Sequence, residues 1–195
     1  PTRRSSDLSL QEADLPVLRK VHREWWHNYY PQSFVSLPDK KMENFYWAQM
    51  YKLASATRTG GGLLDNSGPW QVLTPWPNAW WNLNVQLSYW SVYPSNRLEL
   101  GMPLVDAIGN NLDNLINNVP EPYRKDAAAL PVATDFTLTG ATVNVPGTEK
   151  KAQVGNLTWI CHNLWLQYRF SMDESILRNT LYPTLRRAVN FYLPF

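Results

Sequence analysis

Pro75–Trp90 reads PWPNAWWNLNVQLSYW. It sets four of the chain's ten tryptophans beside two asparagines one residue apart, Asn82 and Asn84. Two readings of this stretch are open. In one, indole faces cover the flat C–H patches of a sugar while side-chain amides donate to and accept from its hydroxyls. In the other, an asparagine starts a helix whose tryptophans are buried in packing, since Asn is a favoured helix cap and Trp is on average a buried residue. Leu83–Tyr93 is expected to be a short buried helix.

Around this stretch the chain is rich in aromatic residues and nearly neutral. At 195 residues it is one domain or a piece of a larger one, and its net charge is +2. A nucleic-acid partner calls for Lys and Arg clustered on one face, which the sequence does not show. Aromatics at 13% fit a large core or a carbohydrate cleft and argue against disorder. The single cysteine, Cys161, excludes an internal disulfide and a cysteine-based zinc site, though not export. No apolar run is long enough to span a bilayer. Pro1–Leu8, PTRRSSDL, coincides with the translated end of a widely used sequencing adapter and is set aside as an artefact. Residues 9–195 are expected to be a fragment, because the apolar helical pattern is still running at Phe195 with no cap.

The hydrophobic periodicity is helical almost throughout. Val17, Val21, Trp25 and Tyr29 mark a helix over Val17–Tyr30, closed by Pro31. Asp39 caps a second over Asp39–Thr57, with Met42, Phe45, Gln49, Met50 and Leu53 on one face. Leu63–Trp81 reads as a long loop. Asn96 and Glu99 form a capping-box pattern for a helix whose apolar face is Leu100, Leu104, Ile108, Leu112 and Ile116. Thr134–Val145 is rich in Thr and Val and holds a short β-hairpin or an irregular insertion. Leu157, Ile160, Leu164, Trp165 and Tyr168 mark a helix over Leu157–Phe170. Asp173 caps a last one, which Pro183 breaks or restarts. The fold class is therefore all-α, with aromatic-rich helices joined by long loops in a helical barrel or toroid.

Few residues suggest other chemistry. His22 and His27 lie five apart on one helix, a poor spacing for shared metal ligation, and no metal or cofactor is expected. Cys161 and His162 are adjacent, so on a helix they point about a hundred degrees apart and do not form a nucleophile pair. Asp65, Glu99, Asp106 and Asp135 lie near the aromatic region, and spacing alone selects no acid and base pair among them. Asp65, in the loop before Gly68-Pro69-Trp70, is a candidate to bind a sugar hydroxyl.

The order of motifs resembles the catalytic domain of family 95 glycoside hydrolases, the inverting alpha-L-fucosidase and alpha-L-galactosidase group. Gly68-Pro69-Trp70 is similar to the family's Gly-x-Trp loop. Asn82-Leu83-Asn84-Val85-Gln86-Leu87-Ser88-Tyr89-Trp90 is similar to its Asn-Ile-Asn-x-Gln-Met-Asn-Tyr-Trp motif. Asn96-Arg97-Leu98-Glu99-Leu100 with Pro103-Leu104, and then Trp159–Phe170 with Tyr182-Pro183-Thr184-Leu185, follow in the family's order. The likeness runs from about Met42 to Phe195. It implies that residues 9–195 are the N-terminal part of a catalytic domain, a partial (α/α)6 barrel, with an oligosaccharide or polysaccharide as partner. It implies that Asn82 and Asn84 hold the attacking water, with a carboxylate polarising one of them because a neutral amide is too weak a base alone. Trp70, Trp76, Trp80 and Trp81 would shape the sugar site. The general acid, a Glu in a Ser-Pro-Glu motif, would follow Phe195. A secreted or periplasmic parent is expected. The chain departs from the pattern at Val132-Ala133-Thr134-Asp135, Asn163 and Leu166, which marks a divergent branch with another sugar open. A non-catalytic glycan-binding protein on the same fold and a toroidal polysaccharide lyase are the alternative functions.

Overall fold

The computed structural model describes residues 14–64, 66, 68, 79–140 and 155–193. Of these residues 64% are helical, and strand is confined to two pairs of residues, which makes the fold all-α as the periodicity predicts. Trp70, Trp76 and Asp65 lie outside the described residues, as do 141–145 of the expected hairpin.

The chain divides into two compact units, Pro1–Pro38 and Asp39–Phe195. In the first, helix α1 (Leu15–Tyr29) runs on into a 3-10 turn, Tyr30–Gln32, so Pro31 tightens the helix end before the chain turns extended at Ser33. Its aromatic side is continuous: Trp25 stacks on Tyr29 at 5.1 Å, and the Trp26 indole donates to Nε2 of His22 at 3.1 Å. Tyr29 is buried, whereas Val17 and Val21 of the same predicted stripe are exposed.

The second unit begins where Asp39 caps α2 (Lys40–Ala56), its carboxylate accepting from the Lys41 and Met42 amides. Met50 and Leu53 are buried, while Met42 and Phe45 at the start of the expected face are exposed. Strand β1 (Ala79–Trp80) corrects the end of the expected long loop. It pairs antiparallel with β2 (Ala133–Thr134), in the register Ala79 with Thr134 and Trp80 with Ala133. Thr134 also bridges Gly140, so the Thr-rich stretch makes a tight turn and closes on β1.

Helix α3 (Asn84–Trp90) follows β1 at once. The capping box expected at Asn96 and Glu99 does not form. Asn96 adopts a left-handed backbone, φ +56, and the Arg97 amide bonds back to Val92. A 3-10 turn over Leu98–Gly101 then leads into α4 (Met102–Asn110), whose second residue is Pro103. A break at Asn111 separates α4 from α5 (Leu112–Asn117). The break shifts the buried register: Leu100, Leu104 and Ile108 are buried as predicted, but Leu115 takes the place expected of Leu112 and Ile116.

Helix α6 (Asn156–Ser171) is the central element. It packs on α3, on the Leu98–Gly101 turn, and on the final helical run. That run consists of α7 (Glu174–Ile176), a π-helical turn Leu177–Leu181, and α8 (Tyr182–Asn190). Pro183 therefore does not break the run. It has no N–H to give and its ring crowds the preceding turn, and the widened π-turn, in which the Tyr182 amide bonds to Leu177, makes the room. Near the end of α8, Arg187 donates to the carbonyls of Arg124 and Lys125 at 3.3 Å each, holding the 124–128 segment in place.

Candidate active site

The site is built on the junction of β1 and α3. Trp81, the first of the three residues between them, is completely buried, and all three of its polar groups are used. Its amide donates to the Val132 carbonyl at 2.7 Å, and its indole Nε1 donates to Oγ1 of Thr134 at 2.8 Å. Its carbonyl accepts from Nε2 of Gln86 in a close contact. Trp80 is 6% exposed and packs with Val132 and Ala133. Both indoles, expected to shape the sugar site, are buried among the described residues and brace the junction that carries Asn82 and Asn84.

The asparagines follow directly in the chain. Asn82 is exposed in the turn, Asn84 is half-buried as the first residue of α3, and Leu83 between them is 46% exposed. Leu83 has φ −174 and ψ −50, outside the regular regions, and this kink turns the chain from strand into helix within three residues. The Asn84 carbonyl accepts from the Ser88 hydroxyl at 2.8 Å, while neither asparagine's side-chain amide is engaged among the described residues. Two carboxamides one residue apart are thus presented on a rigid base.

Helix α3 is fixed from behind. The Tyr89 hydroxyl, pushed up to about 12 by burial, accepts from the Leu64 amide at 2.9 Å. Asn163 on α6, fully buried, donates from Nδ2 to the Gln86 carbonyl at 3.0 Å. Burial also pushes the Tyr93 phenol up, and the Asn163 side chain beside it partly opposes that shift. One helical turn on, Gln167 donates to the Leu98 carbonyl at 2.9 Å. Sequence reading named Gln86 only within a motif and Asn163 only as a departure from the family pattern, and assigned neither these nor Gln167 a structural role. The signal was present on α6, where Asn163 and Gln167 interrupt an apolar stripe containing Leu157, Ile160 and Leu164.

Asp135 is tied into its own turn, its Oδ1 accepting from the Thr137 amide and hydroxyl and from the Thr139 amide at 2.7 to 3.1 Å. Glu99 and Asp106 are exposed. No group of His, Cys, Asp or Glu that could hold a metal occurs among the described residues. Cys161 is buried on α6, and its thiol is pushed up to about 12 by desolvation, so it is a packing residue. No helix among the described residues is long and apolar enough to cross a membrane.

The junction thus joins two unengaged amides, on an exposed Asn82 and a half-buried Asn84, to two buried indoles. Residues 7–195 match the Glycosyl hydrolase family 95 catalytic domain, and the chain belongs to that family, whose fold is an α/α toroid. The chain is similar to Alpha-L-fucosidase 2 of Arabidopsis thaliana, 25% identical over 146 residues. That match covers 73% of this chain and 17% of the relative, so the chain spans a small part of the relative's length.

Proposed function

We propose that this chain carries the water-holding half of an active site that hydrolyses an alpha-linked fucose-like or galactose-like sugar with inversion. In this reading the side-chain oxygens of Asn82 and Asn84 accept hydrogen bonds from a water and aim its lone pair at the anomeric carbon. A neighbouring carboxylate polarises one amide and takes up the proton, because an amide is too weakly basic to do so alone. A glutamic acid from the part of the domain that follows this segment protonates the leaving oxygen from the opposite side, the arrangement that inversion requires. Trp70, Trp76 and Asp65 contribute contacts to the sugar. A glycan substrate of this kind suits a secreted or periplasmic parent.

The observation that carries the reading is the pair of outward amides on the Trp81–Gln86 base. The relative's name supports the choice of a fucoside as first substrate. The test is Asn84→Ala in the full-length protein, assayed on a panel of aryl glycosides that begins with the alpha-L-fucoside. Turnover should fall by orders of magnitude while the protein stays folded, and near-normal turnover would reject the water-holding role. Proton NMR of the first product formed should show the inverted anomer.

A further inference from the structure

We infer that Asn163 and Gln86 are positioning residues for the two site asparagines, so that turnover depends on a buried side-chain amide of α6. The inference rests on the water-holding reading of Asn82 and Asn84. Those residues occupy a kinked segment between two anchors. The N-terminal anchor is Trp81, whose amide and indole are fixed to Val132 and Thr134. The C-terminal anchor is Gln86, whose side chain reaches back over the segment to the Trp81 carbonyl and closes it into a loop. Gln86 is completely buried, as is Asn163, whose Nδ2 grips the Gln86 main-chain carbonyl.

The chain of contact therefore runs from α6 through Gln86 to both ends of the Asn82–Asn84 segment. A buried amide that lost these bonds would carry a desolvation penalty, which makes the arrangement stiff. A water held by two amides is useful only in line with the bond it attacks, and a displacement of about 1 Å can cost roughly 100-fold in rate. Asn163 has no exposed surface, so it acts on the reaction through geometry alone.

The experiment uses the full-length protein and the aryl glycoside that it turns over fastest. Asn163→Leu keeps the volume and removes the donor. The expected result is a fall in kcat of about 10- to 100-fold per folded molecule, with KM within about twofold, the pattern of an interaction made only in the transition state. Asn163→His restores an N–H at nearly the position of Nδ2 and should recover most of the rate. If Asn163→Leu does not fold, Gln86→Met removes the other bond and should give the same split between kcat and KM. A folded Asn163→Leu or Gln86→Met protein with kcat within about twofold of wild type overturns the inference. So does a loss that follows only the folded fraction and is the same for Leu and His. Asn84→Ala, measured alongside, separates the two failures. If it is inactive while Asn163→Leu is normal, the positioning inference alone falls. If it is active, the water-holding reading falls and takes the inference with it.

Discussion

The indole of Trp81 donates a 2.8 Å hydrogen bond to the Thr134 hydroxyl across 53 residues of sequence, and that hydroxyl in turn donates to the Asp135 carbonyl at 2.7 Å. One side chain therefore supplies packing and a buried polar link beneath the same site, and substitution can separate them. Trp81→Phe keeps most of the ring and loses the donor, with an expected cost of about 1–2 kcal/mol. Trp81→Ala also opens a cavity and should cost about 3–5 kcal/mol. Urea unfolding of the two variants measures the difference, and equal losses would show that ring packing adds nothing here.

Gly101 tests a close approach. A Cβ there would collide with Oε1 of Gln167 and lie 3.3 Å from a methyl of Val92. Gln167 cannot simply swing away, because it is 2% exposed and its Nε2 holds the Leu98 carbonyl. Gly101→Ala should therefore destabilise by about 1–3 kcal/mol. In combination with Gln167→Ala, which vacates the space, the two costs should sum to more than the double variant shows. Thermal melts of the single and double variants decide the point, and strict additivity would remove the collision as the cause.

The parts of this architecture legible in the sequence are those governed by near neighbours. Asp39 and Asp173 cap helices as read, because an N-cap is satisfied by amides two or three residues away. Leu157, Ile160 and Leu164 mark the buried side of α6 because their spacing is that of the helix. Asn96 misled because its residue type suits a left-handed turn as well as a cap, and the Arg97 to Val92 bond selects the turn. Strand β1 was invisible since two residues cannot show alternation and the partner strand is remote. The same reason explains the site. Asn82 and Asn84 stood out as a local pattern, but what Trp80 and Trp81 face is decided by Val132–Thr134. The role of Gln86 emerges only when Asn163, 77 residues on, is brought to its carbonyl.

Met172 ends α6 in the left-handed region at φ +56, its amide bonding to the Tyr168 carbonyl at 2.7 Å. That conformation crowds a Cβ, and the side chain is 64% exposed, so little packing offsets the strain. Met172→Gly should stabilise the protein by about 0.5–1 kcal/mol, because the relief at φ +56 exceeds the extra freedom glycine gains in the unfolded chain. A rise in the melting temperature with unchanged helical circular dichroism is the expected result. A fall would mean that the Met172 side chain packs usefully in solution.

Asp173 links the last helical run to pH. Its carboxylate accepts from the Ser175 amide at 2.8 Å, and the Ser175 hydroxyl and amide hold its pKa below the ordinary value of 3.8. A depressed carboxylate binds its proton more weakly in the folded state than in the unfolded one. Its contribution is thus complete above the unfolded value and is lost as pH falls through the lower, folded one. The Ser175 amide resonance should titrate with a midpoint below 3.8, and Asp173→Asn should abolish that titration while keeping a weaker, pH-independent cap. If the Ser175 resonance in wild type titrated at or above the ordinary carboxylate value, Asp173 would not be capping α7 in solution.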